Sequence, residues 1–208
     1  MAEAPVQDFP LFPLGIVALP SESVPLHVFE DRYRTMIQEC IDLEREFGIV
    51  WLSEEELKPI GCACEIERVL EEMDDGRFTI LVRGTRVFRL LQRQEHLPYP
   101  AGVVEFLDEH EETADRDIRR DAHQLYAELV QEATDRTLTE EELAEMDAYS
   151  MAATIDFGAD AKQELLELRS ENARLRLLTL LFRAAIRQME LVERAQVRAR
   201  SNGKVHLG

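Results

Sequence analysis

Cys62-Ala63-Cys64 is the pair of side chains whose spacing comes nearest to a metal or redox site in this sequence. Alternate positions of an extended strand put both thiols on one face. A structural zinc, however, needs four ligands, and no second Cys/His pair stands at usable spacing. Buried core cysteines are therefore the expectation. His110-Glu111-Glu112 begins like a zinc-protease helix, but the position four residues after the histidine is Ala114, so the second imidazole is missing. The five histidines, at 27, 96, 110, 123 and 206, are scattered. His27 lies in an extended apolar segment with no carboxylate or nucleophile placed around it by spacing, so it reads as a core or rim residue in place of a general base. The lysines, at 58, 162 and 204, have no patterned serine beside them, and no G-x-S-x-G elbow occurs, which removes the ordinary signatures of a serine nucleophile. No G-x-x-x-x-G-K-[ST] loop is present to cradle a phosphate. The residues point to a binding module with no catalytic residue, metal or cofactor.

The elements that would position these residues change character along the chain. All eight prolines lie at or before Pro100, so the first half is broken and extended and the second is free to be helical. Pro10, Pro13, Pro20 and Pro25 divide the segment before Phe29 into short pieces, read as two strands and a third at Pro25–Phe29. Tyr33, Met36, Ile37, Cys40 and Ile41 then form one helical stripe. Strands follow over 47–52, 60–70 and 99–107, with Asp74-Asp75-Gly76 as a hairpin turn. Residues 77–93 alternate with period two, Phe78, Ile80, Val82, Phe88 and Leu90 on one face, across an expected bulge, bend or turn at Gly84-Thr85-Arg86.

After a charged linker at 108–117, helices are expected over 118–133, from the Thr139/Glu142 capping box through Met151, from Asp160 with Gln163 to about Leu168, and from Glu171 to Arg200. The last would be about 45 Å long. Its stripe ends at Val192, so 193–208 reads as a projecting basic tail. The expectation is an α+β chain: a pseudo-β-barrel of about six short strands with one helix, PUA-like, over 1–108, and an all-α bundle ending in a long helix over 109–208.

The formal net charge of −18 opposes nucleic acid and anionic membrane surfaces as partners, because both are bound through Lys and Arg. No run approaches the ~20 apolar residues of a membrane span, and the first residues lack a secretory pattern. Three cysteines fit a reducing compartment; a cytoplasmic protein is expected. From Arg169 onward nine basic residues face three acidic ones, which most simply reflects internal pairing of a basic helix with an acidic bundle.

PLFPLGIVALP at 10–20, PLHVFEDRYRTMI at 25–37, FGIV at 47–50, IGCACEIERVLEEMDDGRFTILVRGTRVFRLL at 60–91, PYPAGVVEF at 98–106 and DAKQELLEL at 160–168 together resemble the amino-terminal, substrate-binding domain of Lon proteases in its stand-alone form. One departure is Ser21-Glu22, where that family usually has a glycine. The sequence given has neither the ATPase nor the Ser-Lys protease module of Lon, so proteolysis is not carried over. The resemblance implies recognition of unfolded or exposed polypeptide segments, with a Lon-like ATPase or another protein as a candidate partner in trans. A barrel edge with proline-interrupted strands offers main-chain donors and acceptors to an extended peptide. The candidate peptide-binding residues are Pro13, Leu14, Pro20, Pro25, Leu26, His27, Phe29 and Arg32, each of which also has an ordinary reading as core or turn packing. Two alternatives remain open here: a nucleic-acid-binding protein, by fold analogy alone, and a small-molecule enzyme using a cleft between barrel and bundle.

Overall fold

A computed structural model describes residues 4–54, 56–108 and 113–202, the side chains of 193 and 196–202 excepted. Strands β1 (Val6–Leu14), β2 (Ser23–Val28), β3 (Phe47–Leu52), β4 (Leu57–Glu72), β5 (Phe78–Gln94) and β6 (Ala101–Phe106) form one mixed sheet in the order β2-β5-β4-β3-β1-β6. A further pairing of β5 with β6 joins the ends. Five strands thereby close into a barrel, and β2 extends it along the first half of β5. The helices are α1 (Asp31–Asp42), α2 (Arg116–Thr134), α3 (Glu140–Ala144), α4 (Ala148–Ala152), α5 (Gly158–Glu167) and α6 (Glu171–Asn202). The chain is α+β and ends in a long helix. Residues 203–208 of the expected tail lie outside the described residues.

The barrel interior follows from alternation. Phe9, Leu11, Val50, Ala63, Phe88 and Val104 are its buried centre, with the Phe9 and Phe88 rings edge-on at 5.5 Å. Gly48 makes room for this pair, since a Cβ there would lie 2.5 Å from the Phe88 ring. β5 runs through 84–86 as one strand with a bulge there, one of the three forms expected, and keeps the same face inward on both sides of it: Phe78, Ile80, Val82, Gly84 and Phe88 are all buried. The extra residue lies on β5 itself: from Cys62↔Val87 to Cys64↔Gly84 it advances three residues while β4 advances two, so Thr85 and Arg86 together oppose Ala63.

Two expectations for the proline-rich start change. Pro10 and Pro13 do not break β1, because a proline is tolerated where its missing N–H faces no ladder partner. One strand therefore replaces two, and Pro20 lies in the irregular connection to β2. Ser21 takes the left-handed conformation there, φ 67°, although it is not glycine. Its N–H donates to the Gly84 carbonyl at 2.9 Å, and the Gly84 N–H donates to the Glu22 carbonyl at 2.9 Å. α1 forms as its stripe requires, burying Tyr33, Met36, Ile37 and Cys40, with Tyr33 4.2 Å from the Phe12 ring.

The helix expected from Thr139 through Met151 is split. Thr139 and Glu142 do form the capping box, but Asp147 accepts from the Ser150 N–H at 2.7 Å and starts α4, because a short acidic side chain is a better cap than a helix-interior residue. α5 starts at Gly158, ahead of the expected Asp160 cap.

The chain forms two compact units: Met1–Glu111 with Asp147–Glu171, and Glu112–Met146 with Asn172–Gly208. In the first, α5 is bound to the sheet by a Lys162–Glu22 ion pair at 2.5 Å and by the Gln163 amide donating to the Ile60 carbonyl at 3.2 Å. In the second, Tyr126 of α2 packs on Phe182 of α6 at 5.6 Å, and Asn172 Oδ1 accepts from the Asp115 N–H at 2.7 Å.

Candidate functional site

The barrel unit carries a cleft of about 660 Å³, within the roughly 300–1,000 Å³ usual for ligand sites. Four stretches distant in sequence build it. β1 contributes Leu11, Phe12, Pro13 and Leu14; the end of β2 and the start of α1 contribute His27, Phe29, Glu30, Arg32 and Tyr33. Leu52 and Leu57 flank the β3–β4 connection, and the segment 93–101 closes the other side with Leu97, Pro98, Tyr99 and Pro100. Prolines keep this last segment out of the ladder between β5 and β6. That leaves apolar rings and a concave backbone where a regular strand would have filled the space.

The mouth of the cleft is apolar and open. Phe29 is 60% exposed and Leu52 51%, and such side chains rimming a concavity mark surfaces that bind something. His27 stacks on Phe29, ring centroids 6.1 Å apart, and its Nδ1 is 3.3 Å from Thr79 Oγ1. Arg32 pairs with Glu30 at 2.8 Å and lies over the Tyr33 ring at 4.6 Å. Arg93 makes no ion pair among the described residues and stands at the cleft with Glu95. The two signs are balanced on the walls, so the site has no strong preference for a charged small molecule built into it.

The floor is held by a polar network. The Tyr99 hydroxyl donates to Glu39 at 2.8 Å and accepts from Arg45 at 2.6 Å, while Arg45 also pairs with Glu39 at 2.6 Å. Burial, with the Glu39 hydrogen bond, pushes the Tyr99 phenol up to about 12; Arg45 opposes this only in part. Burial likewise raises Tyr33 and pushes Cys40 up to about 11. These groups stay protonated at neutral pH. They act as scaffold, since a proton-transfer group needs a pKa near the working pH.

Of the eight candidate residues, Pro13, Leu14, His27, Phe29 and Arg32 come together at this cleft. Pro20 and Leu26 are buried elsewhere, and Pro25 is exposed on β2. The sequence reading missed Leu52, Leu57 and the Leu97–Pro100 wall. The signal for that wall was present in His96-Leu97-Pro98-Tyr99-Pro100, a second proline-interrupted apolar segment like the first. Cys62 and Cys64 are buried, and burial, with Cys64 alongside, holds the Cys62 thiol well above its usual range. Among the described residues no three His, Cys, Asp or Glu side chains are grouped so as to hold a metal ion. No helix among them is long and apolar enough to cross a membrane.

The comparisons with known proteins agree with the fold. A Lon N-terminal domain protein from Xanthomonas campestris superposes with a TM-score of 0.63 at 22% identity, covering 83% of this chain and 97% of that one. The N-terminal domain of the Mycobacterium avium complex Lon protease gives 0.64 at 21%, covering 85% and 98%. In sequence, the Lon protease of Parabacteroides distasonis is 28% identical over 109 residues, 48% of this chain but 13% of the relative's length. The family model described as the ATP-dependent protease La (LON) substrate-binding domain matches residues 8–183. A match over most of the chain, with strands and helices in the same architecture, places this protein in the Lon substrate-binding domain family.

Proposed function

We propose that this chain is a non-catalytic module that binds exposed apolar segments of other polypeptides in the barrel cleft, in a cytoplasmic setting. One observation carries the reading: a concave site of about 660 Å³ whose mouth displays Phe29 and Leu52 largely exposed. Leaving those side chains in water costs stability that burial against a partner would recover. An unfolded chain supplies apolar side chains at intervals, and the balanced wall charges tolerate most sequences. The family relationship supports a Lon-type ATPase as the machine to which such clients pass.

Hydrogen exchange with and without a reduced, unstructured polypeptide tests the site. Protection is expected at 11–14, 27–33 and 93–101. Phe29→Ser should weaken binding about tenfold, in the range of an interface anchor. Unchanged exchange at saturating polypeptide, together with unchanged affinity for Phe29→Ser, would sink the reading.

A further inference from the structure

The wall of the cleft formed by β1 has an incomplete backbone edge. β1 pairs with β3 through Leu11–Leu14 on one side. On the other side its pairing with β6 reaches only Pro10↔Ala101, followed by a last rung in which the Leu11 N–H donates to the Pro100 carbonyl at 2.8 Å. Backbone polar groups alternate between the edges of a strand, so Leu11 and Pro13 turn theirs to the cleft side while Phe12 and Leu14 face β3. Two prolines then remove the donors from this edge. Pro100 has no N–H to return to the Leu11 carbonyl, and Pro13 has none to offer. What faces the cleft is a pair of carbonyl acceptors with no free N–H between them.

We infer that the cleft takes an extended segment of another polypeptide as an added strand beside Leu11–Leu14, held by N–H groups that the segment donates to these carbonyls. The inference rests on the polypeptide-binding reading above and defines its substrate class: extended segments with free N–H groups at alternating positions and no proline there. Helical segments are excluded because their N–H groups are already bonded internally. A second copy of this chain fits poorly, since an identical β1 edge would set acceptors against acceptors and a net charge of −18 on each copy adds repulsion. Protection against edge-to-edge aggregation accounts for the prolines. It does not account for the apolar side chains of Phe12, Leu97 and Tyr99 gathered around the same edge.

The test uses the full chain and a fluorescent peptide, Ser-Val-Leu-Phe-Val-Leu-Ser, acetylated and amidated at its ends, with binding read by anisotropy while one amide at a time is N-methylated. Methylation of one alternating set should weaken binding about fivefold or more, the scale of a lost hydrogen bond, and the intervening set should stay within about twofold. A flat response with the parent peptide still bound overturns the added strand and leaves the polypeptide-binding reading standing. Failure of the parent peptide to bind overturns both. Sedimentation of the protein alone supplies the remaining outcome: a dimer displaced by the peptide would assign the edge to a second copy and overturn the inference.

Discussion

At the scale of residues, the cleft depends on side chains that are polar but held in one protonation state. Tyr99 is 3% exposed and bridges Glu39 and Arg45 beneath the apolar wall. Burial, with the Glu39 bond, raises its pKa to about 12, above the ~10 of an unfolded tyrosine. The stability this supplies is fully present below pH ~10 and is lost as pH rises toward about 12, because the unfolded chain releases the proton first. Tyr99→Phe should abolish the last-titrating tyrosinate signal in an ultraviolet titration and flatten the alkaline fall in stability between those two values. A late signal that persists in the variant would assign the raised pKa to another tyrosine. Ser21 is a second case where a single residue matters. It takes a left-handed φ of 67° without being glycine, and the adjacent Glu22 carboxylate accepts from the Leu19 N–H at 2.9 Å while pairing with Lys162.

At the scale of elements, local pattern and tertiary packing divide the work unevenly. α1 was legible because its stripe and its first-turn Asp31 both act within one helix. β5 was legible in its faces for the same reason: period two survives the Gly84-Thr85-Arg86 interruption because the strand never leaves the ladder. Which of bulge, bend or turn would stand there was not legible, since glycine in a strand pattern reads as an interruption of any of these kinds. Here Gly84 serves close packing instead: a Cβ would meet the Leu19 carbonyl oxygen at 2.1 Å. Gly84→Ala should therefore cost about 2 kcal/mol or more in urea denaturation, by displacing the backbone of the β1–β2 connection. A cost below about 0.5 kcal/mol would show that this connection yields freely. The split between α3 and α4 was hidden for the opposite reason. The capping box at Thr139 announces a helix correctly, but Asp147 announces a second one only when its carboxylate is seen on the Ser150 N–H.

At the scale of the whole molecule, the chain leaves the barrel unit after Glu111 and returns to it for Asp147–Glu171. α4 and α5 are separated from the strands in sequence, yet among the described residues it is Lys162 of α5 that supplies the charge partner of the buried Glu22 carboxylate, whose side chain is 11% exposed. A fragment ending at Glu111 should consequently unfold with lower stability and cooperativity than the full chain, because it leaves that carboxylate without its cation and the Ile60 carbonyl without the Gln163 amide. Calorimetry of the fragment against the full chain checks this. A fragment as stable as the barrel unit in the full chain would show that α5 merely covers it.

The sequence alone made legible much of what short-range periodicity and the distribution of proline carry. It placed the extended half before the helical half, α1 and the faces of β5, the long α6, and the concentration of candidate residues near Pro13 and His27–Arg32. Only the tertiary structure decided that β5 and β6 pair to close the barrel, and that closure is what brings Leu97–Pro100 opposite Leu11–Leu14. A strand's alternation states which face is buried but not which strand lies beside it. The cleft is made of neighbours some ninety residues apart, so its second wall became visible only with the pairing that sets it there.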